Sequence, residues 1–401
     1  YHPQRYFALL RVRASVGARR GDANEHERAI AALEAFAETQ DDDVLRLIAA
    51  QNRMHRLCMN GDYEQAHLLG TQRLAAAEAL APMEAAKTHN TLIMALGRQG
   101  RHEEARAHAQ AALTHARATG DAYTEASVLN NLSVGYLAER CLPQATASAE
   151  QALAAYQRIG SRYGAAIAML NLSMVAQHCG QLAAARDQLL QLLVLSDAIG
   201  HQLIGAQGRC NLAGVLAELG EPQAALEHAR EGIRMAQMDG DRYIQATGHS
   251  AAFQACALLG LWQQAVEHGR LAQTGLAAHA EPAEALACEA GVARVLQQAG
   301  DSVGALAGVE AVLAAVAGRG GWQIDEAEAA FNCSRVLVLQ QDPRSANALA
   351  AAHRGFMAQA ASMPDLAERE QFLQSAAARR ETLAAWNNQS PSAAPKPVPT
   401  G

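Results

Sequence analysis

The strongest constraint on this chain is a repeat. A helix-ending residue recurs at Gly21, Gly61, Gly100, Gly180, Gly220, Gly260 and Gly300, with Arg140 and Gln341 in the same slot, at intervals of 39 to 41 residues. A fixed period of that size means that each unit is one supersecondary element and that neighbouring units bury one another's apolar faces. The stretch from Tyr163 to Gly200 shows the unit plainly. Ile167, Leu170, Leu172 and Val175 precede Gly180, and Leu182, Ala185, Leu189 and Leu192 follow it. Spacings of three and four keep each set on one helical face, so the unit is an αα-hairpin with a left-handed glycine closing its first helix.

Two further columns support the hairpin. Five residues after the turn residue stands a small side chain: Ala66, Ala105, Ala145, Ala185, Ala225, Ala265, Ala305 and Ala346. A larger group at the point where two helices touch would push them apart. Between units, Gly120-Asp121, Gly160-Ser161, Gly200-His201, Gly240-Asp241 and Gly320-Gly321 pair a helix-ending glycine with, in three of the five, an Asp or Ser able to cap the next helix. Ala280-Glu281-Pro282 stands in once, and Pro143, Pro222 and Pro343 fall just past turn residues, where a missing N–H costs nothing.

The period predicts an all-α, right-handed α-solenoid of about nine helical hairpins over residues 1–362, the first pair spanning about 3–39 and the last about 324–362. One amphipathic capping helix follows from Pro364 to Trp386, within 363–386, carrying Leu366, Phe372, Leu373 and Leu383. Residues 387–401, NNQSPSAAPKPVPTG, are too poor in core-forming side chains to pack and read as a disordered tail or linker. Only 4% of residues are aromatic, as suits helices packed closely through alanine rather than a β-sandwich.

The turn residue, the small-residue column and their spacing resemble the tetratricopeptide repeat in a long, 40-residue form. Leu172, Gly180 and Ala185 match that family's positions in the 163–200 unit. The likeness extends almost to residue 362. The family's first-helix aromatic is mostly missing, Tyr136 excepted, and aliphatics such as Leu189 replace the second-helix aromatic. The resemblance implies a superhelix with a concave groove lined by the first helix of each pair. The closing stretch, 369–373 and 379–386, further resembles the ends of bacterial signal-transduction ATPases, in which a repeat array follows a nucleotide-binding domain. That likeness implies an ATPase, cyclase or DNA-binding output domain upstream. The chain starts with Tyr1 rather than Met, which accords with a piece of a longer protein.

One column points to function. Nine residues before each turn residue stand Val12, Asn52, Thr91, Asn131, Asn171, Asn211, Ala251, Gly291 and Asn332. Five of the nine are asparagine, although the chain has only 12 asparagines in 401 residues, so composition does not account for the column. Asn90 and Asn130 adjoin it. Asparagine is a mediocre helix former, but its amide both donates and accepts and can bond a peptide backbone in either sense. On the resemblance, this column faces the groove, and the groove residues are Asn52, Asn90, Asn130, Asn131, Asn171, Met174, His178, Gln207, Asn211 and Asn332. Ser127, Val134 and Cys210 lie within a turn of it, and Glu218 two turns on. The same amides can instead bond a neighbouring repeat and hold the stack together. No lysine or arginine falls among these positions, so a free carboxylate is not the expected ligand; a peptide with apolar side chains, or a partner helix, is.

The remaining readings are exclusions. Net charge is −7, which argues against direct nucleic-acid binding. There is no run of 18 apolar residues and no secretory signal. The seven cysteines are scattered without CxxC and read as buried apolar groups of a reducing, cytoplasmic compartment. His102, His108 and His115 are spaced by six and seven, which does not match ligands on one helix, and no metal or cofactor is expected. Nucleotide-binding, nucleophile-elbow and zinc-protease motifs are missing, so no catalytic residues are expected and the chain is not read as an enzyme. The function that follows is a protein- or peptide-binding regulatory or sensor module. An assembly scaffold acting through its ends or convex face, and a sensor of a small-molecule inducer, are the alternatives.

Overall fold

A computed structural model of the chain describes residues 3–20, 23–279, 281–363 and 365–389. Among them it contains only helices. Nine pairs come first: α1 (Pro3–Arg20) and α2 (Ala23–Gln40), α3 (Asp43–Met59) and α4 (Tyr63–Leu80), α5 (Pro82–Arg98) and α6 (His102–Thr119), α7 (Ala122–Ala138) and α8 (Leu142–Arg158), α9 (Arg162–His178) and α10 (Leu182–Ile199), α11 (Gln202–Glu218) and α12 (Pro222–Asp239), α13 (Arg242–Leu258) and α14 (Trp262–Ala278), α15 (Pro282–Gln298) and α16 (Ser302–Gly318), α17 (Ala327–Leu339) and α18 (Arg344–Ala361). Two more helices follow, α19 (Leu366–Ser375) and α20 (Ala377–Gln389). No described helix is long and apolar enough to cross a membrane.

The turn column does what its spacing requires. Every described turn glycine in it has positive φ, and Arg140 and Gln341 take the same left-handed conformation at φ 59° and 56°. Gly21 lies outside the described residues. The alanine column is buried from Ala66 through Ala305. Ala346 departs from it and is exposed. Helix α18 begins three residues after Gln341, where the other described second helices begin two after the turn residue, and its buried alanine stands two positions later than the column. Ala348 is the residue buried in α18, at 1% exposure. Between pairs, Asp121 and Asp241 accept from the backbone N–H of Thr124 and Ile244 and cap α7 and α13.

The chain forms two compact units, Tyr1–Leu172 with Leu195–His201, and Ser173–Val194 with Gln202–Gly401. The first unit's core runs from Phe7, Leu10, Ile30 and Leu33, through Met54, Leu92 and Leu96 against Ala105, Ala109 and Ala112, to Ala126, Ala152 and Tyr156. In the second unit, Val309, Val312, Cys333, Val336 and Leu337 form one cluster, and Ala330, Phe331, Ala352 and Phe356 another. Within each unit odd-numbered helices pack side by side, α3 on α5 and α5 on α7 in the first, α11 on α13 and α15 on α17 in the second.

The end of the chain differs from its sequence reading in two ways. The single capping helix over 364–386 is two helices, with Ala376 in extended backbone at φ −117° and ψ 147°. Two arginines hold the break. Arg379 donates to the Phe372 carbonyl at 3.3 Å and to Ser375 Oγ at 2.5 Å, and Arg380 donates to the Gln374 carbonyl at 2.6 Å. These take up carbonyls that α19 leaves unpaired at its C-terminus. In addition, Asn387 and Asn388, placed in the tail by composition, belong to α20. Pro364 and residues 390–401 lie outside the described residues.

The two closing helices also do more than cover the last repeat. Leu373 and Ala378 pack on the Phe331–Phe356 cluster, and Trp386 stacks on His353 at 4.5 Å. Phe372 is 2% exposed and its backbone reaches the α9–α10 turn, where a Cβ built on Gly180 would stand 2.9 Å from Phe372 Cα. Glu381 pairs with Arg294 of α15 at 3.6 Å. The segment thus runs across the second unit from α18 back to Gly180.

Candidate functional site on the odd-numbered helices

The asparagine column resolves into bonds between repeats in the first unit. Asn131 Nδ2 donates to Asn90 Oδ1 at 3.0 Å, Asn90 Nδ2 donates to Ser127 Oγ at 2.9 Å, and Asn171 Nδ2 donates to Asn130 Oδ1 at 3.0 Å. The partner lies 41 residues away in both column bonds, one period plus one residue, because each helix meets the previous odd helix one position out of step. Asn130 is buried, and Asn90, Asn131 and Asn171 are half-buried. Asn52 instead donates to the Ile48 carbonyl of its own helix at 2.8 Å. Each of these bonds uses one end of an amide that has two donors and an acceptor oxygen.

In the second unit the corresponding face is more mixed. Gln207 donates to Asn211 one turn on at 2.7 Å. Buried Asn332 accepts from Arg294, whose guanidinium also lies over the Phe331 ring. Met174 and His178 are half-buried on α9. Between them in sequence, Gln177 donates to Glu218 Oε1 at 2.6 Å, again 41 residues apart. Burial pushes the Glu218 carboxyl above the usual carboxylate range; the charge of Arg379 and the Gln177 bond pull it back.

A cavity of about 200 Å³ opens beside this face in the second unit. Asn211 and Gln177 line it, as the column suggests, together with Thr247, Ser250 and Gln254 of α13 and Glu284 of α15. Its lining has no lysine or arginine. The lining mixes amide, hydroxyl and carboxylate groups with apolar surface, including Ala251 and Leu276, so it suits an apolar side chain as well as a polar one. Its amides and hydroxyls can donate as well as accept, and Glu284 disfavours a carboxylate ligand. Cys210 also lines it, but burial pushes its thiol up to about 12, so it is not a ready nucleophile. Met174, His178, Gln207 and Asn332 are not part of the lining. Gln254, Thr247 and Ser250 escaped sequence reasoning because they sit in the repeat where the column holds Ala251.

No family model matches the chain, and no curated relative does either. Solved structures do. The apo form of RapI superposes with a TM-score of 0.60 over 87% of this chain and 97% of its own, at 11% identity. NprR in complex with its cognate peptide NprX gives 0.52 over 77% and 84%, at 11% identity. A Signal Transduction ATPase with Numerous Domains carrying a tetratricopeptide repeat sensor, from Pyrococcus horikoshii, gives 0.50 over 83% of this chain and 52% of its own, at 13% identity. At such identities the likeness is one of fold, and the fold of this chain is the all-α helical-repeat fold of the tetratricopeptide type.

Proposed function

We propose that this chain is a peptide-binding regulatory module that takes its partner on the odd-numbered helices, with the cavity beside Asn211 and Gln254 as the anchoring point. The observation that carries the reading is that cavity: amides and hydroxyls from α11 and α13 converge on it, whereas Asn131 and Asn171 are spent on bonds between repeats. NprR, of similar fold, is a complex with a peptide. The chain's own α19–α20 segment supports the same reading, since the second unit already accepts a helical segment with Phe372 buried. About 200 Å³ is below the size of a pocket for a drug-sized ligand, which favours one side chain or a peptide bond over a free small-molecule inducer. The mixed lining, with Glu284 beside apolar Ala251 and Leu276, suits a side chain that joins an apolar stem to a donor head, or a peptide bond. The likeness to a repeat sensor carried by a larger ATPase supports a regulatory setting in a longer protein.

Fluorescence polarisation with a labelled, degenerate peptide library tests the proposal. Asn211→Ala and Gln254→Ala should each weaken the retained peptides about fivefold, on the order of 1 kcal/mol per lost amide bond. Asn171→Ala should leave affinity unchanged while lowering stability. Equal binding by wild type and both cavity variants, or no retained peptide, defeats the proposal.

A further inference from the structure

A second cluster lies in the first unit. Helices α4, α5 and α6 bring Glu78, His89 and His115 together, with one donor atom from each lying within 4.8 Å of the other two. His89 is buried, its side chain 4% exposed, and its Nε2 stands 3.2 Å from Glu78 Oε1. Its other ring nitrogen, Nδ1, is 2.8 Å from Nδ1 of His108. The His115 ring stacks on His89 at 5.8 Å between centroids. We propose that Glu78, His89 and His115 form a binding site for a zinc-class divalent transition-metal ion, with His108 as the group that orients His89.

The chemistry of the donors fits such an ion. Two imidazoles and a carboxylate are a nitrogen–oxygen set of the kind zinc, cobalt and nickel take, and three protein ligands leave one position open to water or an exchangeable ligand. A tetrahedral ion with bonds near 2.0–2.1 Å needs donors about 3.3 Å apart. Glu78 is exposed and His115 half-buried, so both can close that distance by small side-chain rotations. Buried His89 is fixed by His108. On binding, the ion takes the Nε2 lone pair, the His89 proton resides on Nδ1, and Nδ1–H donates to His108. A ligand histidine tied through its second nitrogen is the usual support of a metal site.

The repeat supplies an internal control. One hundred and sixty residues on, four periods later, His249 and His268 form the same pair, Nδ1 to Nδ1 at 2.9 Å. The positions matching Glu78 and His115 there are Met238 and Gly275. The histidine pair alone is therefore a packing element that two repeats share. Only the first copy adds two further ligand-type side chains to it. Histidine spacing along the sequence does not reveal the site, because its donors come from three successive helices.

Cobalt(II) titration of the full chain, followed by optical absorption and competed with zinc, tests the proposal. The expected result is one ion whose visible bands are those of nitrogen and oxygen ligands, displaced by zinc. Glu78→Gln and His115→Asn should each weaken binding at least tenfold with unchanged circular dichroism, and His249→Asn should have no effect. No uptake at millimolar cobalt, equal affinity in the Glu78 and His115 variants, or a thiolate charge-transfer band unchanged in them would overturn it.

Discussion

The docking of α19 onto the α9–α10 turn makes a sharp prediction at Gly180. Gly180 and Gly240 are both left-handed, at φ 73° and 74°, and both end a helix. Replacing either by alanine costs about 1–2 kcal/mol for placing a Cβ in that conformation. They differ in what the Cβ meets. At Gly240 it meets nothing within 4 Å; at Gly180 it would lie 2.7 Å from Ser375 Oγ and 2.9 Å from Phe372 Cα. The serine hydroxyl can turn away, but the Phe372 backbone cannot. Helix α19 must therefore shift outward, at an overpacking cost of about 1–3 kcal/mol. Full release is bounded by the burial of Phe372, whose truncation to alanine costs about 3–5 kcal/mol. Hydrogen exchange reads this directly. In Gly180→Ala, amides of 366–375 should exchange about tenfold or more faster than in Gly240→Ala, since about 1.4 kcal/mol is a factor of ten. Equal protection of α19 in the two variants would refute the docking of α19 on that turn.

Three other tests address the fold. Ala225→Leu, at a fully buried column position, should destabilise the second unit by about 1–3 kcal/mol in urea unfolding, whereas Ala346→Leu, exposed on α18, should be near neutral. His26 is 4% exposed, and burial, with Arg56 and His55 adding to it, lowers its pKa to about 4. Its folded value lies below its unfolded one, so the unfolded chain takes up the proton first. Stability is full above about pH 6.5 and falls as pH drops towards 4, by about 3 kcal/mol in all; His26→Gln should flatten that part of a stability-versus-pH curve for the first unit. Burial pushes Cys58, Cys210, Cys288 and Cys333 up to about 12. Mass spectrometry after brief alkylation at pH 8 should therefore find Cys141 and Cys179, which are only half-buried, modified before these four.

The hairpins were legible because local chemistry dictates them. A residue able to take positive φ is needed every 40 positions, and the chain keeps the period even where Arg140 and Gln341 replace glycine. The break at Ala376 was not legible in the same way. Neither glycine nor proline marks it, and Leu366, Phe372, Leu373 and Leu383 satisfy one helical period across it. What interrupts the helix is the pair Arg379 and Arg380 bonding backward to α19, a tertiary arrangement that periodicity cannot encode. The asparagine column lies between these cases. Sequence identified the residues and left two roles open, because the partners of Asn131 and Asn171 belong to another repeat and are offset by one residue. The Glu78–His89–His115 cluster was hidden for a related reason, since its donors share no helix.

The two roles of the amides divide between the units. In the first, Asn131 bonds Asn90 and Asn171 bonds Asn130, so a column amide joins each of these pairs of odd helices. An alanine there should cost about 1–3 kcal/mol, since it leaves a half-buried partner unpaired. In the second, the column loses its asparagine at Ala251 and Gly291, and the side chains around Ala251 open a cavity lined by Asn211 and Gln254. A small residue in a ladder of amides leaves polar groups around space that a ligand can fill. Ala251→Asn should lower peptide affinity by filling the cavity it lines, with no gain in stability, because the offset of 41 sets its amide against Cys210 rather than against another amide. Unchanged or higher affinity would show that the gap in the column is not what makes the cavity.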